Sequence, residues 1–198
     1  MSLLILFAGY FIFTILLDNG EAINLNQSTQ QVLEDVEKIR KQQDVYKWVP
    51  AKKIEEGYLE AHIDDIEERY RDPQNVIRFM FGTIILKDAD LFMQTFETET
   101  ISKDLFAVDN PDKMEVAADL INQISRDGKL DRVGVINVRG NIGQEITVRI
   151  ALGYSDGIEV RVPIEMKLYG DIHGEEDPVY YINSSVWDII EKIEEKAR

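Results

Sequence analysis

Between Ile146 and Leu168 the chain alternates apolar and polar residues over two long stretches, and few folds accommodate that pattern. Ile146, Val148, Ile150, Leu152 and Tyr154 alternate with Glu145, Thr147, Arg149, Ala151 and Gly153. Ile158, Val160, Val162, Ile164, Met166 and Leu168 alternate with Glu159, Arg161, Pro163, Glu165 and Lys167. A period of two describes extended strands with one face buried. Both apolar sets are even-numbered. Residues opposed in an antiparallel pair share a face, so opposed positions must sum to an even number. A two-residue Asp156-Gly157 turn would oppose 155 to 158 and set apolar against polar. A three-residue loop, Ser155-Asp156-Gly157 with Gly157 left-handed, opposes Tyr154 to Ile158, Ile150 to Val162 and Glu145 to Lys167. The last pair is expected to be a modest exposed ion pair. Pro163 has no N–H for a ladder, so its strand is at an edge there or carries a bulge.

Upstream the period is helical. Val32, Leu33, Val36 and Ile39 predict a helix from Gln31 to about Asp44, and a second begins at Pro50 with Ile54, Tyr58, Leu59, Ile63, Ile66 and Tyr70 on one face. Asp72-Pro73 breaks that run. Val76 to Leu86 is apolar nearly all round, which predicts a helix central to the core. Lys87-Asp88-Ala89-Asp90 restarts a short helix with Leu91, Phe92 and Phe96 inward. Asp112 to Arg126 is another, using Met114, Ala117, Leu120, Ile121 and Ile124, and Asp127-Gly128 ends it. A strand from about Arg132 to Arg139 precedes the hairpin, turning near Gly140 to Gly143. Its inward face is either Val133 and Val135 or Ile136 and Val138. Val179 to Ile182 is a further short strand. Ser184 to Lys196 closes the chain as a helix with Val186, Ile189, Ile190 and Ile193 as its stripe, and Ser185 with Asp188 has the spacing of a capping box.

Helices followed by an antiparallel meander define an α+β fold: several helices on one face of a curved sheet of about three to five strands, with a C-terminal helix. This order, with the Lys87 to Phe92 step between helices ahead of long strands, resembles the NTF2-like and cystatin-like cone folds over Pro73 to Leu168. The resemblance implies a concave sheet packed on helices. That superfamily includes enzymes, small-ligand binders and extracytoplasmic domains of secretion or conjugation machinery, so fold does not select among them.

The N-terminus constrains location. Residues 1 to 17 carry no charge, and Leu3 to Leu17 is almost wholly apolar. As a helix this stretch spans roughly 25 Å, against a bilayer core about 30 Å thick. A buried core helix would keep a polar stripe, and none is present. The segment reads as a single-pass membrane anchor, with a signal peptide cleaved near Ala22 and a secreted product as the alternative. No Lys or Arg occurs before Lys38, while Asp18, Glu21, Glu34, Asp35 and Glu37 are acidic, so the expected topology places the C-terminal domain outside the cytoplasm. The organisation expected is residues 1–17 as membrane anchor or signal segment and 18–30 as linker. Residues 31–198 then form one extracytoplasmic α+β domain, with 31–72 a helical lead-in and 73–198 the core plus C-terminal helix.

Composition narrows the chemistry. A net charge of −15 argues against general nucleic-acid binding, which needs clustered cations. Zero Cys excludes thiol nucleophiles and Cys-ligated zinc, and two His exclude a three-His centre. Nucleophile elbows, phosphate loops, dinucleotide fingerprints and zinc helices do not occur in the sequence. His62 reads as a helix residue at the core margin, with Asp64 and Asp65 badly spaced to serve it. The acidic face from Glu55 to Glu68 reads as solvated. The Gly170 to Pro178 turn, with His173, reads as hairpin chemistry without the spacing of a calcium loop. No catalytic, cofactor or metal residues are therefore assigned.

One region departs from the acidic balance. Lys129 to Gly170 holds six cations against five acids, a net of +1. Arg149 and Arg161 become near neighbours on the polar sheet face under the register above. The expected partner-binding residues are Arg149, Arg161, Arg139 and Lys167, for an acidic protein surface or the acidic helices of another copy, and the other reading of these charges is cross-strand pairing with Glu159 and Glu165. The expected function is a membrane-tethered extracytoplasmic protein-interaction module, a component of an envelope or secretion-type assembly without enzymatic activity. The alternative is a small-ligand-binding or enzymatic cone, which requires a pocket of about 300–1,000 Å³.

Overall fold

The computed structural model describes residues 21–48 (side chains to Lys38), 70–140, 145–169 and 179–197. The anchor segment 1–17, the second helix of the lead-in with His62 and its acidic face, and the His173 turn lie outside the described residues. Among the described residues no helix is long and apolar enough to cross a membrane. Those residues form an α+β arrangement of six helices and one five-stranded antiparallel sheet.

Carboxylates set the helix starts. The central helix α2 (Pro73–Leu86) follows α1 (Leu25–Trp48). It is capped by Asp72, whose side chain accepts from the Gln74 N–H at 2.9 Å, and Pro73 takes the first helical position. Lys87, left-handed at φ 55°, ends it. Asp88 then caps α3 (Ala89–Met93), Glu97 caps α4 (Thr98–Phe106) and Asp112 caps α5 (Lys113–Ser125). Each carboxylate satisfies backbone donors that the first turn leaves unpaired and faces the positive end of the helix dipole.

The sheet runs in sequence order: β1 (Glu21–Ile23), β2 (Leu130–Gly140), β3 (Ile146–Tyr154), β4 (Glu159–Tyr169) and β5 (Val179–Ile182). The register expected for the central hairpin is the one observed. Ile150 opposes Val162, the Tyr154 N–H donates to the Ile158 carbonyl at 2.9 Å, and Gly157 is left-handed at φ 86°. The pairing ends at Ile146 with Met166, one step short of Glu145 and Lys167. Their expected ion pair does not form, and Lys167 Nζ lies 5.3 Å from the Tyr169 ring centroid instead. Pro163 is accommodated at an edge: β5 pairs with β4 only from Met166 to Tyr169. Just before that stretch, the Glu165 N–H is taken by Ser184 Oγ at 2.7 Å. The free edge of β5 is closed by the 95–97 segment, where Glu97 N–H reaches the Ile182 carbonyl at 2.8 Å and Ile182 N–H reaches Thr95 at 3.0 Å.

Inward residues from every strand and from α2 to α6 share one buried cluster, against which Leu25 of α1 packs. Met80, Phe81 and Ile84 of α2 belong to it together with Val148, Ile150, Val162 and Ile164, all almost fully buried. The C-terminal helix α6 (Val186–Ala197) buries Val186, Ile189, Ile190 and Ile193 as expected.

Four expectations are corrected. Residues 21–30 are not linker: β1 pairs with Val133–Val135 of β2, and α1 begins at Leu25 rather than Gln31. Only Ile23 of β1 points inward, which is too little to show a period. The helix α4 has no counterpart in the sequence expectation, because Ile101 and Leu105 alone mark its buried side. Met114 is 46% exposed, since Val116 rather than Met114 completes the stripe of α5. The start of α6 is capped from another helix: the buried Asp104 of α4 accepts from Val186 N–H at 2.6 Å and from Ser185 Oγ at 2.7 Å. Asp188 is not the residue that completes this cap.

Helix α1 crosses α2 at Gly82. A Cβ there would sit 2.7 Å from Val32 Cγ2 and 3.1 Å from the Ser28 carbonyl oxygen. Gly82→Ala should therefore lower stability by about 1–3 kcal/mol. A urea melt of the variant checks this, with an unchanged midpoint as the contrary result.

Candidate partner-binding face

The outer face of the sheet is built by the odd-numbered residues of β3 and β4. On β2 the matching positions follow a bulge. Val133 and Val135 point inward, the register shifts between Val135 and Asn137, and Asn137 then opposes Arg149 while Arg139 opposes Thr147. A single extra residue thus turns Arg139 onto the same face as Arg149. Val138, back on the inner parity opposite Val148, is 40% exposed at the sheet margin.

Three of the four expected cations fall on one line. Arg139 opposes Thr147, Arg149 lies two residues further along β3 opposite Pro163, and Arg161 opposes Ala151 two further still. Each step is a diagonal between neighbouring strands, roughly 7–8 Å. All three side chains are exposed. No carboxylate among the described residues lies within ion-pair distance of Arg139 or Arg149, although the chain as a whole carries 37 acids. Neighbouring guanidinium charges at this spacing repel by about 0.6 kcal/mol even in the dielectric of water. Lys167 stands apart, four residues along β4 from Pro163, or roughly 13 Å. It lies against Tyr169, which packs edge-on with Tyr181 at 5.7 Å.

The floor between these cations is made of small side chains: Gly134, Thr147, Ala151 and Gly153. Gly153 has a specific reason to be glycine. Arg132 of β2 lies across it, with Nε 3.1 Å from where a Cβ would be, and reaches Glu159 of β4 at 3.2 Å. This bridge over an intervening strand neutralises the acid nearest Arg161 along its strand. Asn137 was not singled out from the sequence because the bulge that assigns it to this face has no signature in the residue pattern, and Arg132 faces outward under only one of the two readings left open for β2. Asn137 Oδ1 is buried without a hydrogen-bond partner among the described residues, directly beside Arg149. An orphaned acceptor of this kind costs about 1–3 kcal/mol.

At the rim, the loop that sets the register is tied to the helices. Arg126, left-handed at the end of α5, grips both oxygens of Asp156 at 2.9 and 2.8 Å and lies 5.1 Å from the Tyr154 ring centroid. Tyr154 donates its hydroxyl to the Ile124 carbonyl at 2.9 Å, and burial pushes that phenol well above its ordinary range. Partial burial opposes ionisation of Asp156, but the Ile158 N–H and the Arg126 guanidinium outweigh it and hold the carboxyl below 3.8.

Elsewhere, the cleft between α1 and α2 lined by Ser28, Gln31, Tyr70, Asn75 and Arg78 has a volume of about 10 Å³, room for one water. Among the described residues no group of three His, Asp or Glu side chains could hold a metal ion. Comparison with protein-family models, with curated proteins and with solved structures finds no match.

The depressed carboxyl of Asp156 has a signed consequence. Folding favours its ionised form, so this stabilisation is complete above the unfolded value and is lost as pH falls through the lower folded one. Asp156→Asn should lower stability near neutrality and flatten the acid limb below pH 3.8. Thermal melts across the acid range check it, and an unaltered acid limb would contradict the assignment.

Proposed function

We propose that this chain is a membrane-tethered interaction module whose domain lies outside the cytoplasm and docks an acidic protein surface on the outer face of its sheet. The observation that carries the reading is the diagonal of Arg139, Arg149 and Arg161 on the outer face, where Arg139 and Arg149 make no ion pair among the described residues although Glu165 lies diagonally from Arg149. Cations left unpaired in a chain of net charge −15 are poised for carboxylates supplied from outside. The flat floor admits close approach of a partner backbone.

Tethering and topology follow from the uncharged residues 1–17 and the absence of Lys or Arg before Lys38. The reading also draws on the resemblance of Pro73 to Leu168 in sequence to NTF2-like cones, a superfamily that includes extracytoplasmic domains of secretion-type assemblies. A ligand-binding or enzymatic cone needs space between α2 and the sheet. Met80, Phe81, Ile84, Val148 and Ile164 occupy that interior, which gives the alternative no support.

Two measurements address the proposal. Cross-linking in intact membranes should recover a partner with the native chain and lose it with Arg149→Glu/Arg161→Glu, while equal recovery would refute the face assignment. A C-terminal reporter active only outside the cytoplasm should be active, and a silent one would refute the topology.

A further inference from the structure

The acidic surface that fits the arginine diagonal is present on the chain itself. Helix α6 buries Val186, Ile189, Ile190 and Ile193 against the core and exposes Asp188, Glu191, Glu194 and Glu195 on its other side. It packs on the inner side of β4, so its exposed face points away from the sheet, opposite to the arginines. Asp188, Glu191 and Glu195 form one stripe at helical spacings of three and four, with neighbouring side chains roughly 5–6 Å apart. Extended guanidinium groups can span the difference from the sheet's diagonal steps. Lys192 is held by Glu195 at 3.0 Å, and Glu191 and Asp188 add to the negative field that raises its pKa. Asp188 and Glu191 make no hydrogen bond or ion pair of their own among the described residues.

We propose that the arginine diagonal of one copy binds the Asp188–Glu191–Glu195 stripe of a second copy, building head-to-tail chains of this protein. The proposal rests on the outer face being a docking surface and names its occupant. Three observations on the two faces agree. They carry opposite charge within one polypeptide, long guanidinium side chains span the difference between their spacings, and Gly134 and Ala151 leave room for a helix to approach the sheet. Because the two surfaces differ and face opposite ways, the contact is heterologous and does not close as a two-fold dimer.

The test is sedimentation velocity of the full-length chain in detergent at about 50 mM and about 500 mM salt. The native chain should form concentration-dependent oligomers at low salt and revert to monomer at high salt. Arg149→Glu/Arg161→Glu and Asp188→Arg/Glu191→Arg should each be monomeric, with thermal melts like the native chain. Mixed in equal amounts, they should associate again, because each supplies the face the other lacks and the two reversed faces are themselves of opposite charge. A native chain monomeric at low salt, oligomers indifferent to either variant, or a mixture that stays monomeric would overturn the proposal. If the native chain is monomeric while Arg149→Glu/Arg161→Glu still loses a cross-linked partner in membranes, self-docking fails and the docking surface stands.

Discussion

Everything on the outer face depends on the register of one hairpin. The Ser155-Asp156-Gly157 loop makes opposed positions of β3 and β4 even in sum, which sends Val148, Ile150, Val162 and Ile164 inward and Arg149 and Arg161 outward. A slip by one residue would bury two arginines and expose the core face of two strands, at a cost of several kcal/mol per buried charge. The loop is held accordingly. Gly157 takes the left-handed position, Arg126 clamps Asp156, and Tyr154 anchors the end of β3 to the last turn of α5. The outer face is thus fixed by contacts on the opposite layer of the molecule.

A second constraint is the division of labour among acids. Several carboxylates in this acidic chain are committed to structure: Asp72, Asp88, Glu97 and Asp112 start helices, and Asp104 joins α4 to α6. Glu159 is occupied by Arg132 across Gly153. What remains for intermolecular contact is spatially sorted. The outer sheet face keeps Arg139 and Arg149 outside any ion pair among the described residues, and the exposed side of α6 keeps carboxylates. Net charge conceals this sorting, because it averages over two faces that point in opposite directions.

The hairpin was legible in the sequence because a period of two and a turn containing glycine leave one arrangement that keeps apolar residues together. The same reasoning left β2 undecided, for a physical reason. Both of its proposed faces, Val133 with Val135 and Ile136 with Val138, are partly real, since the bulge changes parity midway. Strand β1 and helix α4 escaped because they contribute one and two buried apolar side chains, too few to carry a period. The cap of α6 escaped because Asp104 is more than eighty residues from Ser185. Of the candidate site, Arg149 and Arg161 followed from register, Arg139 joins them through the bulge, and Lys167 belongs to an aromatic corner instead.

Covering of the outer face in native membranes is the central claim, and the absence of native Cys makes it directly measurable. Thr147, two residues from Arg149 along β3 and opposite Arg139, is replaced by Cys, with Glu115→Cys on the exposed side of α5 as reference. The rate of modification by a membrane-impermeant maleimide is then compared in intact cells and in purified protein at high salt. The account predicts that the reference site reacts at similar rates in both, while the Cys at 147 is strongly protected in cells and released by salt. Equal reactivity of the Cys at 147 in both settings would contradict it.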